Sequence, residues 1–379
     1  TLSMGVRQSF GLLMQPLGRD LGLTREMFGF AIALQNLLFG LCQPFVGAWS
    51  ERWGTRATLA GGAVVYALGL LLAASWQSSA GILVGLGFAV GLALSATTFV
   101  VVLAAVGKLV PAQRRGLAFG IVTAGGSFGQ FAVVPLAQGL LNVTPWHVTL
   151  MVLAALAGLI ALVGFGIAKA PEAQGNDAAM ESLGDALRRA RSWRHYWLLN
   201  AGFFVCGFHV AFVGTHLPAY LVDQGISASI GAWSLALIGL FNIAGSWLFG
   251  AWGDRYSRPN LLAALYTCRA VAMVVFLLLP LTPFSALAFA ASFGFLWLGT
   301  VPLTSGAVAS MFGIAHLSTL YGIVFLSHQI GAFFGAWGAG WWFERTGSYD
   351  SLWWISVAIA LLAALASLLT DDAPVPRPL

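Results

Sequence analysis

Charge is what this chain has least of. Asp, Glu, Lys and Arg together make up 8% of its 379 residues, where a soluble domain carries roughly a quarter. A water-facing surface cannot be covered from so small a supply, which excludes a soluble globule. Acidic residues are the scarcer sign, thirteen in all, and each falls in a loop, a tail or the end of an apolar run. Without an acid at mid-depth, no nucleophile–base pair or metal cluster can be completed inside the apolar runs, which argues against an embedded enzyme. Cysteine is nearly absent. Cys42, Cys206 and Cys268 lie within apolar runs at spacings that suit neither a disulfide framework nor a metal site, so they read as small packing residues. No Gly-rich loop ends in Lys-Ser or Lys-Thr to cradle a nucleotide phosphate, and no cofactor or metal is expected. A cleavable signal pattern is also missing. The chain opens inside its first apolar run with no initiator Met, so the first helix is expected to be truncated.

What fills the chain is apolar: 59% of residues are hydrophobic. Runs of about 20 residues, each long enough to cross a hydrocarbon core of about 30 Å, follow one another to the end. Backbone groups in lipid must bond internally, which leaves helices or a closed barrel. The runs are continuous rather than alternating, so the expectation is an all-α membrane protein. Twelve spans are predicted, near 1–18, 27–50, 57–76, 80–108, 114–141, 147–168, 196–221, 228–250, 260–280, 284–311, 318–343 and 351–370. The one long connection, 169–195, divides an N-terminal bundle of six helices (1–168) from a C-terminal bundle with a short tail (196–379). Its second part, "SLGDALRRARSW", is basic and predicts a helix lying on the membrane surface.

The basic residues are distributed unevenly. Thirteen fall on the side of the long connection, among them Arg52, Arg56, Arg255 and the cluster Arg188–Arg194, against Arg19, Arg25 and Arg345 on the other. By the positive-inside rule the connection and both termini face the cytoplasm. The net charge of +5 is then a signal of topology rather than of nucleic-acid binding. Trp76, Trp146, Trp193, Trp353 and Trp354 fall near span ends, where an interfacial aromatic belt is expected.

The two halves repeat. "GAWSERWGTRATL" from Gly47 matches "GAWGDRYSRPNLL" from Gly250. "FGIV" at Phe119 matches "YGIV" at Tyr321, and "GVRQSFGLLMQP" at Gly5 lies over "GFHVAFVGTHLP" at Gly207. The matches share an offset of about 202 to 203 residues. Duplicated halves are a transporter architecture, with the substrate site near the midplane between repeats. The paired loop sequences carry a resemblance to a family. "GAWSERWGTR" resembles the motif between helices two and three of the major facilitator superfamily, and "GAWGDRYSR" its degenerate copy between helices eight and nine. Within that superfamily "RDLGLTRE" and the glycine-rich "GIVTAGGSFGQFAVVP" are similar to the monocarboxylate and oxalate–formate branch. The resemblance implies two pseudo-symmetric six-helix bundles working by alternating access. In the motifs, Glu51, Arg52 and Arg56, with Asp254 and Arg255 in the copy, are candidates for ion pairs that gate the cytoplasmic side. The alternative is a positive-inside anchor with no gating role.

Two arginines fall at mid-span, Arg7 and Arg269. An arginine at a helix centre costs about 2.5–3.5 kcal/mol on insertion scales. With no midplane carboxylate to meet it, the partner expected for Arg7 is an anionic substrate; the alternative is a structural cation bonded to carbonyls or water. Helix one lines the central cavity in the resembled family, which favours the first reading. Third helices of each triplet are peripheral there, so Arg269 has a weaker claim and bonding to neighbouring carbonyls is its alternative. The repeat lays Arg7 over His209. His328 lies mid-depth in "FLSHQIGAFFGAW". Either imidazole is a candidate to carry a proton or donate to a carboxylate; a buried neutral ring is the alternative for each. Thr97 and Thr300 match under the repeat and offer hydroxyls, or interhelical hydrogen bonds. Gln130, Gln329 and Asn242 are further polar groups on cavity helices, and Trp297 offers an apolar wall.

The branch pattern is incomplete. Where monocarboxylate transporters carry an Asp and an Arg four residues apart on helix eight, "GLFNIAGSWLFGAW" has Asn242 and Ser246. Where oxalate transporters use basic groups on helices eight and eleven, only His328 is present. The substrate of neither subgroup transfers. The expected function is secondary transport of a small organic anion, a mono- or dicarboxylate, by proton symport or exchange; export of an amphipathic compound is the rival. A monomer in a bacterial inner membrane is expected, with a co-transported proton as the further partner.

Overall fold

The computed structural model describes residues 1–98, 115–166, 182–313 and 316–375, with side chains at 47, 48, 51, 52, 115–123, 163–166 and 318 outside that description. Every regular element described is helical. We number the spanning helices in order. α1 runs Leu2–Gln8, tightens into a 3-10 turn at Phe10–Leu13 and resumes at Met14–Leu21. α2 is Arg25–Trp53 and α3 Thr55–Ser75. α4 spans Ser79–Thr97 with a π-helical stretch at Leu83–Ala89. α5 is Arg115–Val143 and α6 Trp146–Gly166. The second set comprises α7 Arg194–Asp223, α8 Ala228–Gly253 and α9 Arg258–Leu278. α10 is Pro283–Phe295 and Thr300–Phe312 either side of a break. α11 is Leu317–Phe333 and Ala339–Thr346 joined by a π-helical Phe334–Gly338. α12 is Asp350–Leu368.

Nine of these helices, among the described residues, have the length and composition to cross a bilayer. Their packing repeats between halves. In each set the first helix lies on the fifth and the third on the sixth: α1 on α5 and α7 on α11, α3 on α6 and α9 on α12. Across the halves α2 packs on α11 and α5 on α8, a pair that exchanges under the twofold repeat. α1 also crosses α7. A Cβ at Gly11 would collide with the Gly214 carbonyl, so the absence of a side chain is what lets the two helices approach at the axis.

The connecting segment forms a helix, Leu183–Ser192, with Ser182 capping its start through the Asp185 amide. It buries Ala186 and Ala190 and sends Arg189 to the Val375 carbonyl at 3.2 Å. The helix expected in this segment is present, with Arg188 and Arg191 exposed. The aromatic belt fits less well. Trp76 and Trp354 are about half exposed, but Trp146 and Trp353 are buried. Trp353 packs edge-on to Phe212, Phe276 and Phe289, so nearness to a span end does not make it interfacial. No Asp or Glu is buried among the described residues, as the placement of acids in the sequence led one to expect.

Candidate functional site

Arg7 lies in the last turn of the first segment of α1, shortly before the 3-10 turn. It lines a small cavity between the halves together with Ile32, Gln35 and Asn36 of α2 and Val210, Gly214 and Thr215 of α7. The cavity holds about 20 Å³, room for about one water. Among the described residues Arg7 is the one charged group lining it. Its Nη2 donates to Asn36 Oδ1, and its guanidinium lies 5.8 Å from the Phe39 ring centroid. No carboxylate pairs with it among the described residues.

Asn36 is the start of a polar chain that crosses the interface. Its Nδ2 donates to the Ile32 carbonyl at 2.9 Å, and its own carbonyl accepts from Gln329 Nε2 at 3.0 Å. Gln329 Oε1 in turn lies 3.0 Å from His328 Nδ1. His328 is stacked on Phe325, 5.7 Å between centroids, and lies 4.8 Å from the Phe203 ring centroid. Arg7, Gln329 and His328 are thus brought into one network, and the residue joining them, Asn36, was not among the sequence candidates. Its neighbour Gln35 was also missed. Gln35 Nε2 is fixed to the Leu86 carbonyl at 2.9 Å, while its Oε1 has no partner among the described residues. The signal was present as "LQNLL", adjacent amides in the middle of an apolar span.

A second amide network joins the halves on the other side of the axis. Gln8 Nε2 donates to Gln130 Oε1 at 3.1 Å, and Gln130 Nε2 to the Leu235 carbonyl at 2.7 Å. Asn242 donates to Ser127 Oγ at 2.9 Å and accepts from Ser246 and from the Leu298 amide, each at 2.9 Å. Gln130 and Asn242 therefore tie α5 to α8 and to the break in α10, rather than facing the cavity.

Thr97 and Thr300 occupy equivalent sites. Thr97 Oγ1 is 2.9 Å from Ser3 Oγ, and Thr300 Oγ1 is 3.1 Å from Cys206 Sγ. Both are buried interhelical bonds. They also set the register of the repeat at an offset of 203, in which the counterpart of Arg7 is Val210 and that of His209 is Val6. His209 accordingly does not face Arg7. It is fully buried, with Nε2 3.0 Å from the Ser356 carbonyl of α12 and its ring beside Phe293 of α10.

Arg269 is likewise away from the cavity. It is fully buried and donates through Nε and Nη2 to the Leu296 carbonyl, at 3.0 and 2.7 Å, and through Nη2 to the Trp297 carbonyl. These are the carbonyls orphaned where α10 breaks. Arg269 caps that break from α9, with Cys206 Sγ 3.6 Å from Nη2. Trp297 is buried within the same bundle and forms no wall of the cavity.

The ion pairs between halves lie at the arginine-poor end. Arg25 grips Asp223 through both guanidinium tips, Nη2 at 2.7 Å from Oδ1. Its backbone amide donates to Glu344 at 2.8 Å, so a carboxylate from the second half caps α2. Arg345 pairs with Glu26 at 3.2 Å. Tyr349 accepts from Arg25 at 3.3 Å and lies 2.8 Å from His216 Nδ1; burial holds its phenol well above the usual range, so it stays neutral. At the connection end, Asp254 and Arg255 are exposed and in no ion pair among the described residues. Arg56 begins α3, half-buried, and the side chains of Glu51 and Arg52 lie outside the described residues. At the opposite end two of the three arginines, Arg25 and Arg345, each meet an acid from the other half.

Comparison with known proteins agrees with this architecture. The profile of the Major Facilitator Superfamily matches residues 1–334. An uncharacterized MFS-type transporter, YcxA of Bacillus subtilis, is 25% identical over 96% of this chain and 90% of its own. Monocarboxylate transporter 13 of Bos taurus is 28% identical over 97% of this chain and 86% of its own. Among solved structures, a bacterial homologue of the human lysosomal transporter Spinster, inward-facing and occupied, superposes with a TM-score of 0.77 at 14% identity, covering 99% and 96% of the two chains. A D-xylose–proton symporter gives 0.74 at 17%, covering 98% and 95%. The chain belongs to the major facilitator superfamily and is a multi-pass membrane transporter.

Proposed function

We propose that this transporter carries a small organic anion, a carboxylate, by alternating access, and that Arg7 binds it. The observation that carries the reading is a single cation lining a cavity between the halves with only a neutral amide as its side-chain hydrogen-bond partner among the described residues. Such a group is expensive in a membrane unless it meets an anion, and the planar guanidinium suits a carboxylate bidentately. One cation favours a monoanion over a dianion. The similarity to monocarboxylate transporters points the same way. Ion pairs close the arginine-poor end, which the charge asymmetry assigns to the outside. The cavity is too small for a carboxylate without rearrangement, and this conformation is read as closed outwards. Gln329 and His328 stand one step behind Arg7, joined through Asn36. A proton, if one is co-transported, has His328 rather than His209 as its place on the protein.

The test is thermal stabilisation of purified protein by acetate, pyruvate, lactate and oxalate, followed by uptake of [¹⁴C]pyruvate and [¹⁴C]oxalate into proteoliposomes. Ligand binding to the folded state raises its melting temperature by mass action. At least one anion should stabilise and enter in the wild type and neither stabilise nor enter in Arg7→Gln, which should fold normally. Full transport by Arg7→Gln, or no response to any member of the panel, rejects the reading.

A further inference from the structure

Tyr349 precedes α12 and is bonded to Arg25 at the arginine-poor end. It is buried, with its ring centroid 4.7 Å from that of Phe343. Packing fixes where the phenol lies but not which way its O–H points, since a hydroxyl rotates to suit its partners. A phenol that points its hydrogen at Arg25 turns a positive end to a cation. One that points it away offers the guanidinium a lone pair. His216 of α7 decides between the two. It is fully buried, with Nδ1 2.8 Å from Tyr349 Oη and Nε2 2.7 Å from the Ala336 carbonyl. A carbonyl only accepts, so Nε2 carries the proton. In the neutral ring Nδ1 is then bare and must accept. That draws the Tyr349 hydrogen toward α7 and leaves the phenol oxygen to Arg25 Nη1 at 3.3 Å. A ring with protons on both nitrogens would set two donors against the phenol oxygen and leave the phenol hydrogen without an acceptor. Only the neutral ring completes the chain.

We propose that His216 is a positioning residue for the ion-pair cluster at the arginine-poor end: by fixing the direction of the Tyr349 hydroxyl it makes Tyr349 an acceptor for Arg25, and so holds that end closed. The acceptor that sets the tautomer, Ala336, lies in the π-helical stretch of α11, so the chain runs from α11 through α7 to the start of α12. Tyr349, His216 and Ala336 all belong to the second half, and Arg25 to the first. Bonds within one half persist whether the two halves are together or apart at this end, so their strength cancels from the equilibrium between open and closed. His216 acts on that equilibrium through the one bond of the chain that crosses, Arg25 to Tyr349. No anion enters this equilibrium, so it stands apart from the role proposed for Arg7.

The ratio of open to closed is read by double electron–electron resonance between spin labels at Asp20 and Gln224, exposed positions on opposite halves, in protein with its three cysteines replaced. Tyr349→Phe removes the acceptor and should raise the ratio roughly five- to tenfold, the loss of a single hydrogen bond. His216→Leu should raise it by the same factor, and the double variant by no more than either alone. His216→Gln, whose amide donates to Ala336 and accepts from Tyr349 as the neutral imidazole does, should stay within about twofold of wild type. The same comparison in an Asp223→Asn background, where the ratio is higher, covers a wild type too closed to measure. His216→Met takes the place of His216→Leu if the latter does not fold. A residue that only fills space would lower the melting temperature in its variants and leave the ratio unchanged, and that pattern overturns the proposal. So does a double variant that opens by the product of the two single effects, an unchanged ratio in Tyr349→Phe, or opening by His216→Gln as large as by His216→Leu.

Discussion

Asp223→Asn should loosen the arginine-poor end and shift the carrier toward opening there. The side chains of Arg25 and Asp223 are 17% and 27% exposed, neither surface groups nor fully buried ones. A solvent-exposed pair is worth about 0–1 kcal/mol, and a hydrogen bond to a charged group about 1.5–3 kcal/mol. This pair is bidentate, is joined by Gln15 at 3.1 Å, and has the Arg25 guanidinium 3.8 Å from the Phe343 ring centroid. About 2 kcal/mol is a fair value for its charge-dependent part, above that of an exposed pair and within the range for a hydrogen bond to a charged group. Asparagine keeps the shape and loses the charge, so the ratio of open to closed should rise about 30-fold. Arg25→Lys should give a smaller shift, since the ammonium keeps the charge and loses the fork. The assay is double electron–electron resonance between spin labels at Asp20 and Gln224, exposed positions on opposite halves, in protein with its three cysteines replaced. The longer distance should gain population in Asp223→Asn, and the charge-swapped double variant Arg25→Asp/Asp223→Arg should recover part of the closed state. A distance distribution identical to wild type would show that the pair does not hold the two halves together.

Two further outcomes test the placement of residues away from the cavity. Arg269→Met should lower stability by about 2–6 kcal/mol, because the Leu296 and Trp297 carbonyls lose their donor at about 1–3 kcal/mol each. Anion affinity of the folded fraction should be unchanged; melting temperature and a pyruvate titration read the two effects, and a weakened affinity at normal stability would return Arg269 to the binding site. His209→Gln should cost about 1 kcal/mol through the altered bond to the Ser356 carbonyl and leave the pH dependence of anion binding as in the wild type. A changed pH profile in His209→Gln would mean that this imidazole does reach the substrate.

The sequence by itself determined the number and order of the spans, the uneven distribution of arginine, the duplication, and an arginine in the first span with no acid at its depth. Each of these depends on length, hydropathy or a count, which are properties of the chain alone. Which way each side chain points was decided only by tertiary packing. A membrane helix meets apolar surroundings on its lipid face as well as its protein face, so its apolar residues run all the way round and do not mark which side is inward. A difference of one residue in the register of the repeat, about 100° of helix rotation, was enough to exchange His209 for Val210 at the cavity. The partners of the arginines were hidden for the same reason. Arg269 meets carbonyls exposed by a break in α10, Arg25 meets an aspartate 198 residues away, and Arg7 meets Asn36, because those groups become neighbours only when helices from both halves are packed together.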